Sequence, residues 1–593
     1  MLFPRRLSVP PAKARLLARI PGVRLTGPGE ILCTIDAWET VRRKLGIEDD
    51  AGQPKKLKHK ISLRPYQAEG ADWIVDRWEK CGAAYLAFGL RLGKTRTILA
   101  AVKALRVKNS RVLVMMPAMV LRTWIREIRK VLDLDCVVCD GRSASVLRHF
   151  DGDPKRRHGR RIDRSKSPEE FDRLLNEARL VLCPYDRLIA QSARTARGVE
   201  FDRSDLPGWA STLGKIKWTV AIADEGQKLR TFSYEPGHRR NRALIAAQRA
   251  RRRIILSGTP SFGLFRHLWG QLDWLLPGQY GVDKRNGDSA PYQWDEYFCN
   301  GRKVLIPEVG REVWKFDDVG PRIESEWADH RRDAIMLVKH ACDVAKDLPP
   351  IMRDVRRVGD GQVKPPSKRS RNRKDAALIQ AFDIKAPECL EQVVDELVNG
   401  LKVMVLTYRH RSADDFFAMA SKMVGRKGEE GAALRAASTR VWNGRGSDGA
   451  SGVSAEARSI MIEEFVDHDG AALFVATTHA LADGGVSMNG LSSVHHLEYH
   501  DSPMGMVQAE LRGYEPGISH GYAITHWHAE GTIDDEIEQR VMPKTKMVRS
   551  AFDDPMAGGM SDAFFSSLAK RAPKISIDDA LAAFVAKGIE DEG

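Results

Sequence analysis

What this 593-residue chain lacks narrows it first. It has only eight cysteines, scattered singly apart from Cys136 and Cys139 in "DCVVCD". No second ligand pair stands at a zinc-finger spacing, so these two read as ordinary strand residues, and no disulfide framework is expected. Long apolar runs are missing as well: the longest, "VLVMMPAMVL", is broken by Pro117 and is too short to cross a bilayer. The opening "MLFPRRLSVPPAK" has no apolar signal core. These absences predict a soluble, cytoplasmic protein with no membrane partner. Acidic residues are also in deficit, 79 Asp and Glu against 94 Lys and Arg, a net charge of +15. Such a balance favours a polyanionic partner, nucleic acid before membrane, because each phosphate neutralised releases counterions.

What is present is a globular composition, 43% hydrophobic and 29% charged, in a chain long enough for roughly three or four domains. From about residue 61, short apolar runs bounded by turn residues alternate with longer helical segments. The runs are "AAYLAF", "RVLVMM", "CVVC", "LVLC", "TVAIA" and "RIILS". Strands apolar on both faces and separated by helices describe a parallel sheet covered on both sides. A second series, "KVMVLT", "STRVW", "ALFVAT", "SVHHLEY" and "YAITHW", predicts another such sheet. The reading is α/β, with a small unit over 1–60, a first lobe over 61–280, an insertion and basic linker over 281–385, a second lobe over 386–550 and a helical tail over 551–593. Two basic stretches, "PKRRHGRRIDR" after Asp153 and "KPPSKRSRNRK" near 364–374, are expected as solvated loops able to touch phosphate.

Chemistry concentrates in the first lobe. In "GLRLGKTRT" (residues 89–97), Gly93 permits close backbone approach, Lys94 supplies an ammonium for the β- and γ-phosphates, and Thr95 offers a hydroxyl to Mg²⁺. The strand before it and the helix after it are the context in which loop amides and a helix N-terminus hold an anion. A nucleotide hydrolase also needs carboxylates, and "WTVAIADEGQ" ends an apolar strand on Asp224 and Glu225. Asp224 is assigned to Mg²⁺ and Glu225 to the attacking water. The histidines of "VHHLEY" and "THWH" have no third ligand nearby in sequence and read as core or edge residues, and Trp269 and Trp274 as one packed helix face.

The order of these segments resembles that of Swi/Snf-family DNA translocases of helicase superfamily two, over about residues 61–548. "LRPYQAEGADWI" resembles the family's adenine-reading segment, which implies that Gln67 recognises the base. "RLGKT" resembles motif I, "VLVMMPAMVLRTWIREI" motif Ia with Trp124 and Glu127 in place, "DEGQ" the family's Asp-Glu-x-His, and "RIILSGTPSFGLFRHLWGQLDWLLPG" motif III and its extension. In the second half, "KVMVLTYRHRSADDF" is similar to motif IV, "LFVATTHALADGGVSM" to motif V, and "MVQAELRGYEPG", with Gln508 and Arg512, to motif VI. The resemblance implies two RecA-like lobes sharing ATP and Mg²⁺, with Arg512 as the arginine finger. It also implies movement along duplex or forked DNA without sequence reading. "LLARIPGVRLTGPGEILCTIDAWETVRRKLGI" resembles the short fold before the motor in annealing helicases, which implies a grip on branched DNA.

Departures from that pattern matter. Phe88 and Arg91 stand where motif I usually has a small or acidic residue and a glycine, Gln227 replaces the usual histidine, and Glu515 takes the place of motif VI's second arginine. Glu515 keeps open a nucleotide-gated DNA-binding subunit with little hydrolysis. A strand-separating helicase and the motor of a restriction or defence complex remain alternatives, and the compact length fits a bacterial or phage protein.

Overall fold

The computed structural model describes residues 5–8, 10–18, 23–27, 30–33, 40–41, 44, 61–105, 110–141, 144–151, 159–188, 208–231, 238–261, 264–277, 294–296, 298–300, 302–306, 311–315, 327, 335–344, 351–359, 363, 373–442, 455–482, 488–500, 502–514, 518 and 521–552. Glu515, the glycines of "ADGGV", most of "KPPSKRSRNRK" and nearly all of the expected tail lie outside them. Contacts divide the chain into two compact units, one built from Met1–Lys346 and the other mainly from Asp347–Arg549.

The first unit opens with a three-stranded antiparallel sheet, β1 (Arg5–Ser8), β2 (Val23–Gly27) and β3 (Glu30–Cys33), in the order β1-β3-β2. Its main sheet has nine strands. These are β4 (Ala83–Phe88), β5 (Val112–Met116), β6 (Cys136–Asp140), β7 (Val146–Phe150), β8 (Arg160–Asp163), β9 (Leu180–Pro184), β10 (Trp218–Asp224), β11 (Ala250–Leu256) and β14 (Met336–Lys339), while β12 (Arg302–Ile306) and β13 (Arg311–Lys315) form a separate hairpin. The order is β14-β4-β11-β10-β5-β9-β6-β7-β8, parallel as far as β6 and antiparallel over β6, β7 and β8. All of β4 and β5 is buried, as strands covered on both faces must be, and each large apolar side chain so placed contributes about 1.5–3 kcal/mol.

In the second unit, β15 (Ile351–Val358), β16 (Lys402–Thr407), β17 (Ser438–Trp442), β18 (Ala472–Thr477), β19 (Leu491–His496) and β20 (Tyr522–Ala529) form a wholly parallel sheet, ordered β15-β20-β19-β16-β18-β17. A core around Phe382, Val393, Val405, Phe416 and Trp527 lies between it and the helices Arg373–Val398 and His410–Met423. The α/β reading with two parallel-sheet lobes is met. Its boundaries need correction. Residues 336–339, assigned to the insertion, pair with β4, and residues 351–358 pair with β20, so the division falls near 346 rather than at 280 and 386. β14 is too short to show a pattern, and β15 carries four charged residues on a sheet edge. Part of "PKRRHGRRIDR" is also not a loop: Arg160–Asp163 is the edge strand β8, with Arg160 paired to Glu170 at 2.6 Å and Arg164 to Asp172 at 3.1 Å.

Candidate nucleotide site in the first unit

Strand β4 runs into the loop that precedes the helix Lys94–Ala104. Phe88 does not obstruct that loop. Its ring is buried and meets Tyr66 edge-on at 6.0 Å, and a Cβ at Gly70 would come within 2.7 Å of it, so the absence of a side chain at Gly70 makes room for the larger residue. Arg91 adopts φ +66°, the left-handed region that the usual glycine enters freely and an arginine enters at a cost of about 1–2 kcal/mol. Gly93 follows at φ +74°. Gln67 lies against it, donating from Nε2 to the Leu92 carbonyl at 3.2 Å and accepting at Oε1 from the Arg64 amide at 3.0 Å. A Cβ on Gly93 would stand 2.3 Å from Gln67 Nε2 and displace that side chain, and the backbone, at φ +74°, favours glycine. The residue resembling a base reader is thus held directly on the loop that precedes Lys94.

No side chain caps the helix that starts at Lys94, which leaves its first amides available to an anion. Lys94 Nζ donates to the carbonyls of Phe88 at 3.1 Å and Gly89 at 3.3 Å. Thr95 follows in the first turn, half-buried. Gly258 of "SGTP" closes over the loop, since its Cβ would lie 3.1 Å from Lys94 Nζ.

Asp224 ends β10, the strand between β5 and β11. Burial, and then the neighbouring Glu225 carboxylate, push its carboxyl up to about 6, while Trp124 and Lys94 act the other way. Both oxygens are held: Trp124 Nε1 donates to Oδ2 at 2.7 Å, and the Glu225 amide to Oδ1 at 3.0 Å. Tyr185 fixes the backbone by donating to the Asp224 carbonyl at 2.8 Å. Glu225 turns off the strand at φ +50°. Its Oε2 accepts from Gln227 Nε2 at 2.6 Å, Ser257 Oγ donates to Gln227 Oε1 at 2.6 Å, and the Thr259 amide donates to Ser257 Oγ at 3.1 Å. The amide of Gln227 therefore spans from the acidic pair to the "SGTP" segment, as its donor and acceptor ends permit.

Gln67, Gly93, Lys94, Asp224 and Glu225 are thus gathered at the carboxyl end of the first sheet. Trp124, Ser257 and Gly258 join them, and these links span distances in sequence at which no spacing rule applies. Gln508 and Arg512 belong to the second unit and are buried there. The helix Pro503–Glu510 carries Gln508 and is capped by Ser502 Oγ, which accepts from the Gly505 amide at 3.3 Å. Arg512 donates to the Leu481 carbonyl, and its own carbonyl accepts from the Met488 amide at 3.0 Å.

The group the sequence implies, Mg²⁺ with a nucleotide triphosphate, is tested by the donor set. An uncapped helix start, an ammonium, a hydroxyl and two carboxylates, one of them destabilised as an anion by burial, are the ligands and charges such a complex uses. The residues fit.

Residues 66–312 match the model of the SNF2-related domain. Chromatin remodeling factor mit1 of Schizosaccharomyces pombe is 25% identical over 226 residues, 36% of this chain and 13% of its own length. The ISWI chromatin-remodeling complex ATPase ISW1 of Saccharomyces cerevisiae is 25% identical over 260 residues, 42% of this chain and 19% of its own length. A probable ATP-dependent DNA helicase, CHR12 of Arabidopsis thaliana, is 25% identical over 236 residues, 39% and 18% respectively. The chain spans less than a fifth of the length of these relatives, which are yeast and plant proteins and lend no support to the bacterial or phage source expected above. Among solved structures, the Sulfolobus solfataricus SWI2/SNF2 ATPase core in complex with dsDNA aligns with 89% of this chain and 100% of that one, at 16% identity and a TM-score of 0.34. Among the described residues no helix is long and apolar enough to cross a membrane.

Proposed function

We propose that the chain is a DNA-dependent ATPase that converts ATP hydrolysis into movement along duplex or forked DNA. The observation that carries this reading is the joined set at the carboxyl end of the first sheet: Lys94 on its loop, Asp224 held by Trp124, and Glu225 linked through Gln227 to Ser257. In this reading Gln67 recognises the adenine edge, and the amides after Gly93 with Lys94 hold the phosphates. Thr95 and Asp224 would hold Mg²⁺, which supplies charge neutralisation on the β- and γ-phosphoryl oxygens. Glu225 orients the attacking water and takes its proton, and the Gln227–Ser257 link reports the state of Glu225 to the "SGTP" segment. Arg512, with Gln508 beside it on motif VI, is assigned to the charge developing on the transferred group.

DNA as the partner is supported by the SNF2-related match, by the likeness to a probable ATP-dependent DNA helicase and by the net charge of +15. Contacts to phosphate and not to base edges follow from that reading. A second reading, DNA binding gated by nucleotide with little turnover, is favoured by the bond from Arg512 to the Leu481 carbonyl, which a working arginine finger must give up. Phosphate release measured without DNA and with single strands, duplex and forks separates the two: stimulation by duplex or forked DNA supports the motor, and nucleotide-dependent DNA binding without release supports the gate.

A further inference from the structure

The doublet His495-His496 at the end of β19 sends its side chains to opposite faces of the second sheet, as successive strand residues must. His495 is fully accounted for: Nδ1 accepts from Trp527 Nε1 at 3.1 Å and Nε2 meets Glu396 Oε2 at 2.9 Å. His496 is different. It stands opposite His526 of β20 in register, the two rings lie parallel with centroids 4.7 Å apart, and Glu510, from the last turn of the helix Pro503–Glu510, reaches them from the same face. Glu510 Oε2 is 3.1 Å from His496 Nε2 and 3.8 Å from His526 Nε2. All three side chains are buried.

Two features set this cluster apart from a packed polar core. His526 is fully buried, yet neither of its ring nitrogens makes a hydrogen bond, an arrangement that costs a few kcal/mol unless a ligand takes up the lone pair. The separations of 3.1 and 3.8 Å also bracket the edge of a tetrahedron whose centre lies about 2.0–2.1 Å from each ligand, roughly 3.3–3.4 Å; because an imidazole lone pair lies in its ring plane, the two parallel rings must turn toward each other to share one ion. Arg353 binds the other carboxylate oxygen, Oε1, at 2.6 Å, orienting Glu510 as outer partners orient metal-bound carboxylates, though its charge lowers affinity for any cation.

We propose that His496, Glu510 and His526 bind one first-row divalent cation, zinc by ligand type and spacing, which ties β19 and β20 to the helix that carries Gln508. The neighbouring trio His528, Asp535 and Glu538 is the weaker candidate, because Asp535 is open to solvent whereas all three members of the first cluster are buried. This inference does not depend on the ATPase reading, since its readout is metal content.

The test uses the full, untagged chain, stripped with chelator and titrated with Zn²⁺, and with Co²⁺ as a spectroscopic probe. One equivalent of metal is expected, with the visible bands of a low-symmetry cobalt site and a rise in melting temperature. Binding should be lost in His526→Ala and retained in His528→Ala. Because His526→Ala could disturb the core, Glu510→Gln is the second variant; it keeps the shape of the side chain and should weaken binding at least tenfold with far-ultraviolet circular dichroism unchanged. Absence of stoichiometric binding by the unmodified chain would overturn the proposal, as would unchanged binding in both His526→Ala and Glu510→Gln, or loss in His528→Ala alone.

Discussion

Trp124 Nε1 and Asp224 Oδ2 lie 2.7 Å apart, both residues buried, one hundred positions apart in sequence. The indole is a donor only, so it favours the ionised carboxylate that Mg²⁺ requires, against burial and Glu225, which favour the protonated form. The folded Asp224 therefore titrates near 6 rather than at the ordinary value of about 4. Below pH 6 the carboxyl is increasingly protonated, and apparent Mg²⁺ affinity should fall by about tenfold per pH unit. In Trp124→Phe the charged form loses its donor, so the acid limb should move upward by about one pH unit. Mg²⁺ titrations of nucleotide binding between pH 5 and 8 check this; an acid limb at the same pH in both proteins would contradict it.

Gly93→Ala should weaken nucleotide binding while leaving the protein folded. The new Cβ would stand 2.3 Å from Gln67 Nε2 at a φ of +74°, so the loop or Gln67 must shift. Fluorescent-nucleotide binding should weaken at least about tenfold, the equivalent of 1.4 kcal/mol.

Arg91→Gly should raise stability. The arginine holds φ +66°, and relief of that conformation outweighs the extra freedom glycine gives the unfolded chain, a net gain of roughly 0.5–1 kcal/mol. Chemical denaturation measures it. A loss of ATP affinity in the same variant would show that the guanidinium serves the phosphates as well.

Much of this arrangement is legible in the sequence because parallel strands buried on both faces must be short, apolar and bounded by turns; "AAYLAF" and "TVAIAD" announce both themselves and the loops that follow. β14 and β15 are not legible. "MLVK" is too short for a period, and "IMRDVRRV" sits at an edge where solvent accepts Arg356 while Arg353 and Arg357 pair with Glu510 and Glu538. Lys94, Asp224 and Glu225 stand out through local context, whereas Trp124 reaches Asp224 only after the sheet has brought β5 beside β10. Glu510 likewise becomes the third partner of two histidines only when a helix folds back over β19 and β20, which no spacing between them reveals.

Gln227→Ala should separate DNA stimulation from basal turnover. Removing the amide breaks the chain from Glu225 to Ser257, whose two links are each 2.6 Å, so the ratio of phosphate release with and without duplex DNA should fall several-fold. Gln227→His should preserve that ratio, since an imidazole also offers one donor and one acceptor. Equal losses in both variants, with the ratio unchanged, would assign Gln227 to shape alone.

The most direct test of the whole account is steady-state phosphate release from ATP by the full chain, with and without duplex DNA, beside Lys94→Ala. Removing the ammonium that faces the phosphates should cost at least about a hundredfold in turnover. The account predicts release that rises with duplex DNA and disappears in Lys94→Ala. No release above the Lys94→Ala level, with DNA present and saturating Mg²⁺ and ATP, would contradict it.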